Sequence, residues 1–214
     1  SERESLIDRM RRPSSVAATA LREGGEEEKV EQETDEPWRR GRAGTALGKA
    51  VHAVMQSIDL ATGDSIDDQA RVQASAEGIP DREGEIAELC RRAVASEVVR
   101  RAVASGRLWR EIPVAAAMGG GSLYGIIDLL FEERDELVIV DYKTDRVDPS
   151  GESDTSVRYR LQGGAYAHAV QRVTAKKVKE VVFLYLDTGK EVRLEELPRA
   201  MQDAERRALE RLAG

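Results

Sequence analysis

The sequence predicts an α/β fold with a mixed central β-sheet, helices on both of its faces and a helical N-terminal part. Three observations predict it. Apolar residues recur at helical spacing through the first half of the chain, to about residue 105. From Trp109 the pattern changes to short β-branched runs separated by Gly and charged turns. Beyond about residue 150 the two patterns alternate as helix, strand and helix.

Taken in order, residues 1–22 carry scattered apolar positions and read as one helix, a connector. Residues 23–41 are acidic, Gly-containing and unpatterned, and read as a linker. The expected division is therefore a helical and acidic connector over 1–41 and one domain over 42–214. A helix is predicted from Thr45 to Leu60, where Leu47, Val51, Val54, Met55 and Ile58 keep helical spacing. Two more helical stretches follow, near 65–77 and 83–105. Strands are predicted at 109–117, 122–132 and 136–142, with Gly119-Gly120-Gly121 as the first hairpin turn. A helix over 154–173 carries Val157, Leu161, Ala165 and Val170 near one stripe. A strand at 178–186 pairs with 190–195 through Asp187-Thr188-Gly189, and a helix spans 197–212.

Composition narrows the function classes. The 214 residues are 41% hydrophobic and 34% charged, ordinary for a solvated globular domain, and only 4% aromatic. The core must therefore rest on Val, Leu, Ile and Ala. No apolar run has the length to cross a bilayer, and nothing at the start resembles a secretory signal. No membrane partner is expected. Cys90 is the only cysteine, which excludes an internal disulfide, a cysteine-rich zinc site and a cysteine-held iron–sulfur cluster. A reducing cytoplasm is the simple setting. The start at Ser1 without Met fits a piece of a longer chain. The net charge of −7 counts against broad attraction to a polyanion, but it lies mostly in Glu26, Glu27, Glu28, Glu31, Glu33, Asp35 and Glu36.

The informative segment is GIIDLLFEERDELVIVDYKTD, Gly125 to Asp145. Read as a hairpin turning at Arg134-Asp135, it sets Glu133 against Glu136 and, counting outward, Asp128 against Asp141. Opposed residues have Cβ atoms roughly 5 Å apart on one sheet face. Lys143 follows Asp141 by two residues and points to that same face. A D-x-K triplet alone is usually a polar strand end. These acids, however, interrupt apolar runs (Ile126-Ile127 and Leu129-Leu130; Leu137 to Val140), where carboxylates are costly unless compensated. A divalent cation would relieve both the burial and the mutual repulsion, and oxygen ligands suit Mg²⁺ or Mn²⁺.

An Asp, a hairpin and D-x-K resemble the PD-(D/E)XK nuclease superfamily. GTALGKAVHAV (44–54), GIIDLL with VIVDYKTD, and YRLQGGAYAHAV (159–170) together resemble its RecB-like branch, the nuclease domains at the C-terminal end of AddA- and RecB-type helicase-nucleases. The resemblance spans residues 44–170 and implies a restriction-endonuclease-like core. It implies metal binding by His52, Asp128, Asp141 and the backbone carbonyl of Tyr142, with Asp128, Asp141 and Lys143 catalytic. It further implies that Tyr159, Gln162 and Tyr166 support the site or contact DNA, and that Glu111 stands where such nucleases often carry an acid. The superfamily's nominal Pro before the first acid is Ile127 here.

Each residue also has a plainer reading. A lone helical His is more often a core or surface residue, though Gly48, one turn before His52, lets this helix approach the sheet. Tyr159, Gln162 and Tyr166 share one helix face, which usually means packing, but a Gln amide between two Tyr needs partners. Arg158 and Arg160 flank that face and could meet phosphates. Lys176, Lys177 and Lys179 read at least as well as a solvated loop. Trp38 and Trp109 could stack on bases, with core packing the better expectation for Trp109. The expected function is metal-dependent hydrolysis of DNA phosphodiesters, on single strands or duplex ends, leaving a 5′-phosphate and a 3′-hydroxyl. No G-x-x-x-x-G-K-[ST] motif is present, so ATP-driven movement would fall to a UvrD-like helicase domain in the same chain or complex. The rival readings are a catalytically silent DNA-binding or scaffold domain and a structure-specific endonuclease.

Overall fold

The computed structural model describes residues 15–21, 45–118, 121–144 and 154–213. The acidic stretch 23–41, Trp38, Gly119 and Gly120 lie outside the described residues. The first half of the domain is four helices: α1 (Ala46–Ser57), α2 (Ile66–Ala76), α3 (Glu83–Ala95) and α4 (Glu97–Ser105). Thr45 caps α1 by accepting the Gly48 N–H at 3.1 Å. The stretch expected as one helix over 83–105 is two, because Ser96 is extended (φ −68°, ψ 154°) and its hydroxyl caps the next helix at Val99 N–H. Gly106 then ends α4 in the left-handed conformation, at φ 67°.

The sheet comprises β1 (Ser15–Ala17), β2 (Leu108–Met118), β3 (Gly121–Glu133), β4 (Glu136–Lys143), β5 (Val178–Tyr185) and β6 (Lys190–Arg193). Helices α5 (Asp154–Thr174) and α6 (Leu197–Ala213) complete the chain. The helix expected over 1–22 is not what the described part of that segment forms. Residues 15–17 pair parallel with β3, and 18–21 form a single 3-10 turn. Val16, Ala18 and Leu21 are buried in the core beside α5. A free stretch of β3 edge offers this segment backbone partners, and tertiary pairing outweighs its weak helical pattern.

The hairpin of β3 and β4 turns at Arg134 and Asp135, both with positive φ (53° and 64°), and its register opposes Glu133 to Glu136. β4 and β5 run parallel with α5 as the crossover, and β6 returns antiparallel to β5. One sheet face packs on α5 and α6 through Ile139, Val181, Phe183, Tyr159 and Ala204. The other packs on α1 to α4 through Leu129, Phe131, Val140, Val182 and Leu184. The aliphatic core anticipated from composition is the one present.

β3 is the strand that matters for the site. β2 pairs along nearly its whole length. On its other edge it pairs with β1 at Ser122–Tyr124 and with β4 only from Leu129 onward. Between Tyr124 and Leu129 the sheet forks. No helix among the described residues is long and apolar enough to cross a membrane.

Two adjacent glycines in α5 set how closely the layers stack. A Cβ at Gly163 would come within 2.9–3.2 Å of Leu194, Phe183 and Val181, and one at Gly164 would overlap the Ala200 backbone of α6. Gly164→Ala is therefore expected to destabilise the fold by about 1–3 kcal/mol through overpacking. Gly84→Ala in α3, where a Cβ meets nothing within 4 Å, is expected to stabilise it by about 0.5–1 kcal/mol. Urea denaturation of both variants checks the pair; the same sign in both would refute the close-packing account.

Candidate active site at the fork of the sheet

Side chains on a regular strand alternate between faces. β2 and β3 break that alternation at the same place. Ile112, Val114 and Ala116 of β2 pack toward α5, yet Leu108 packs toward the helical first half. Likewise Leu123 and Ile127 of β3 pack toward α5, whereas Leu129 and Phe131 pack the other way. The ladder pairs Arg110 with Leu129 and Ile112 with Ile127, but skips the pair between them, Glu111 and Asp128. Glu111 sits at φ 52°, in the left-handed region that a side chain enters at a cost. Both strands thus change face together, and they do so at two acids.

Asp128 is buried, as are Asp141 and Lys143. The hairpin count holds as far as Leu129 and Val140, where the backbone ladder ends one pair short of Asp128 and Asp141. In place of that pair, the Tyr142 N–H donates to Asp128 Oδ2 at 2.7 Å. The Lys143 carbonyl accepts the Leu186 N–H on the β5 side. By strand alternation the Tyr142 carbonyl therefore points to the β3 side, into the fork.

From one side of the fork α1 delivers His52. Its Nδ1 lies 3.1 Å from Asp128 Oδ1 and 3.7 Å from Glu111 Oε1. One ligand atom from each of His52, Glu111 and Asp128 falls within 4.8 Å of the others. A Cβ on Gly48 would stand 3.2 Å from the Thr144 hydroxyl, so α1 does run close against the end of β4. Burial disfavours the imidazolium, but Asp128 and then Glu111 outweigh it and push the His52 pKa up to about 10. The Asp128 pKa is also raised, by burial first and then by the Asp141 and Glu111 charges, against the opposing pull of His52. Burial thus disfavours the charged form of both groups, and the close approach of Asp128 and Glu111 sustains the imidazolium against it. A nitrogen and two carboxylates around a point that demands positive charge are a donor set suited to a divalent cation.

From the other side α5 delivers Gln162. Lys143 Nζ pairs with Asp141 Oδ2 and donates to Gln162 Oε1 at 3.0 Å. Gln162 Nε2 donates to Asp141 Oδ1 at 3.3 Å and to the Tyr166 hydroxyl at 3.0 Å. A lysine can only donate, so it fixes which end of the amide carries the oxygen. The Lys143 ammonium lies 4.0 Å from the centroid of the buried Tyr159 ring, and that ring tilts against Phe183 at 5.6 Å. Gly125 lies beneath Tyr166, where a Cβ would strike the ring.

The residues expected at the site therefore form two neighbouring groups, His52–Glu111–Asp128 and Asp141–Lys143–Gln162–Tyr166, with Tyr159 beneath the lysine. Arg158 lies in α5, but its side chain is outside the described residues. Arg160 pairs with Asp203 of α6 at 2.5 Å. Lys176, Lys177 and Lys179 pair with Glu132, Glu136 and Glu133, so their plainer reading applies. Trp109 is 39% exposed rather than core. One contact carried no sequence signal: Arg110 reaches the carbonyls at the end of α1, next to the irregular backbone of Glu111.

The family description of the PD-(D/E)XK nuclease superfamily matches residues 23–213. Among curated proteins, the chain is similar to an ATP-dependent helicase/nuclease subunit of Desulforudis audaxviator, 37% identical over 70% of this chain and 14% of the relative. The subunits of the same name from Carboxydothermus hydrogenoformans (31% identical, 71% of this chain, 14% of the relative) and Ruminiclostridium cellulolyticum (26%, 73% and 14%) are also similar. The chain thus spans about 14% of the length of these relatives.

The His52 shift predicts a measurable titration. In chelator, the His52 ring proton in NMR should titrate well above 6.5, and Asp128→Asn should bring it down. A folded pKa above the unfolded one means that the ion pair stabilises fully below about pH 6.5, and that this contribution is lost as pH rises toward 10. A wild-type midpoint at or under 6.5 would contradict the electrostatics described.

Proposed function

The chain belongs to the PD-(D/E)XK nuclease superfamily, and from that premise we propose that it hydrolyses DNA phosphodiester bonds with a Mg²⁺ or Mn²⁺ ion held at the fork. The observation that carries this reading is the convergence of His52, Glu111 and Asp128 within 4.8 Å, beside the buried Asp141–Lys143 pair. His52, Glu111, Asp128, Asp141 and the Tyr142 carbonyl would hold the ion. When bound, it would lower the pKa of the attacking water and neutralise charge on the phosphate.

The protein's own groups do the rest. Lys143 offers its ammonium, held over the Tyr159 ring and hydrogen-bonded to Gln162, to the phosphate oxygens or to the incoming water. Gln162 keeps Asp141 and Lys143 in register by donating to one and accepting from the other, and Tyr166 holds the amide. Positioning of this kind reduces the reorganisation needed as charge develops.

The relatives' names support placing this domain within a larger helicase-nuclease, with a UvrD-like helicase domain delivering single strands or duplex ends. A cytoplasmic setting fits Cys90, which is buried and unpaired with another cysteine.

Labelled linear and closed circular DNA, incubated with Mg²⁺, Mn²⁺ or chelator, test the reading. Linear DNA should be cut with either metal and not with chelator. Asp141→Ala and Lys143→Ala should each lose on the order of 10²–10⁴ in rate. Equal rates for wild type and Asp141→Ala would end the proposed mechanism. Efficient cutting of circles would favour a structure-specific endonuclease, and metal binding without cutting would favour a silent DNA-binding domain.

A further inference from the structure

We propose that Arg110 is a positioning residue for the metal site: it clamps the C-terminal end of α1 to β2 and so fixes where the His52 imidazole meets Glu111 and Asp128. The inference rests on the reading of His52 as a metal ligand and extends it to a residue outside that ligand set.

Arg110 Nη1 donates to the Met55 carbonyl at 3.1 Å and to the Ile58 carbonyl at 2.6 Å. These belong to the end of α1, where carbonyls lack partners within the helix. Negative partial charge gathers at such an end, and a cation there is favourable. The last turn of α1 has no basic residue of its own, so the cation comes from β2. Met55 follows His52 by three residues, which places both on neighbouring parts of one helix surface. A shift or rotation at the clamped end therefore moves the imidazole.

The other end of α1 is held separately, by the Thr45 cap and by the approach of Gly48 to Thr144. His52 lies between the two anchors. The length of the helix is thus held at both ends, and the imidazole cannot slide along the strands.

The backbone at Glu111 makes the clamp possible. On a regular strand, Arg110 would lie on the same face as Ile112, toward α5. The left-handed residue at 111 turns Arg110 to the opposite face, where Leu108 also packs. The ladder partner of Arg110 is Leu129, directly beside Asp128. A single irregular residue thus sends one side chain to the helix that carries His52 and itself supplies the acid that faces His52.

The test measures Mn²⁺ affinity of the 214-residue chain, from the electron paramagnetic resonance signal of free Mn²⁺. The forms compared are wild type, Arg110→Gln, Arg110→Lys, His52→Ala and the Arg110→Gln/His52→Ala double variant, each checked for folding by circular dichroism. Arg110→Gln is expected to weaken Mn²⁺ binding by about tenfold, in the range typical of groups that orient metal ligands. Arg110→Lys, which keeps a cationic donor at the helix end, should fall between, and it carries the comparison if the glutamine variant does not fold. On the His52→Ala background the Arg110 change should have less than about a twofold effect, because the ligand it positions is gone. An equal loss on both backgrounds, or no loss beside a weakened His52→Ala, overturns the clamp alone. Affinity unchanged in His52→Ala overturns the reading of His52 as a ligand, and the inference with it.

Discussion

A buried carboxylate must be satisfied from every direction that water no longer reaches, and Asp128 meets that demand at the point where β3 changes neighbours. Its Oδ2 accepts the Tyr142 N–H, which would otherwise look across the fork at no strand, while its Oδ1 faces His52. The acid therefore stands in for a missing rung of the ladder. Replace it with an apolar residue and the Tyr142 amide loses its partner while His52 loses the nearer of its two counter-charges. Much of the local architecture can be read as the set of conditions under which this one side chain is tolerable: the positive φ at Glu111, the simultaneous change of face in β2 and β3, and the early end of the β3–β4 pairing.

A β-sheet ordinarily separates what lies on its two faces, and here it separates two distinct apolar clusters. The fork joins them. His52 arrives from the helical first half, and Gln162 and Tyr166 arrive from α5 on the opposite face. Where β3 and β4 have parted, groups from both layers reach neighbouring acids: His52 meets Asp128 and Glu111, and Gln162 meets Asp141. Small residues make the approaches possible: Gly48 lets α1 close on Thr144, Gly125 accommodates the Tyr166 ring, and Gly163 and Gly164 let α5 sit tightly between the sheet and α6. Each such glycine weakens its own element by roughly 0.5–1 kcal/mol relative to alanine, a cost that these close contacts explain.

How much of this was legible in the sequence depends on whether the signal was periodic or tertiary. The strand meander, the α5 crossover and the hairpin turn at Arg134-Asp135 follow from alternation and turn chemistry, and the hairpin register follows from counting. The partnering of Gln162 could be anticipated from the amide's need for hydrogen bonds. Counting could not show that the ladder stops before Asp128, since that depends on where β1 and β4 exchange places along β3. Nor could it show that Glu111 leaves the β region, because no Gly or Asn marks the position. For the same reason Arg110 looked like an ordinary strand arginine. Ser15–Ala17 carries too short a pattern to reveal a strand without the edge it pairs with, and the exposure of Trp109 depends on what covers β2, which no local pattern records.

The β3–β4 hairpin carries acids at both ends, and the contrast between the ends argues for what the fork is built to do. Away from the fork, Glu132 pairs with Lys176 and Arg107, Glu133 with Arg101 and Lys179, and Glu136 with Lys177. There the partners prevail: Lys176 draws the Glu132 pKa down, and Arg101 and Lys179 take that of Glu133 to about 2. At the fork, His52 lies beside Asp128 and Glu111, Lys143 pairs with Asp141, and burial first of all raises the pKa of Asp128. The same residue types on the same two strands thus have lowered pKa values at one end and a raised one at the other. A buried carboxylate is costly even when paired, and for stability alone an apolar residue in its place often serves as well. Keeping an acid buried beside a second acid and a histidine instead leaves, at one point of the sheet, a donor set to which a cation is favourable.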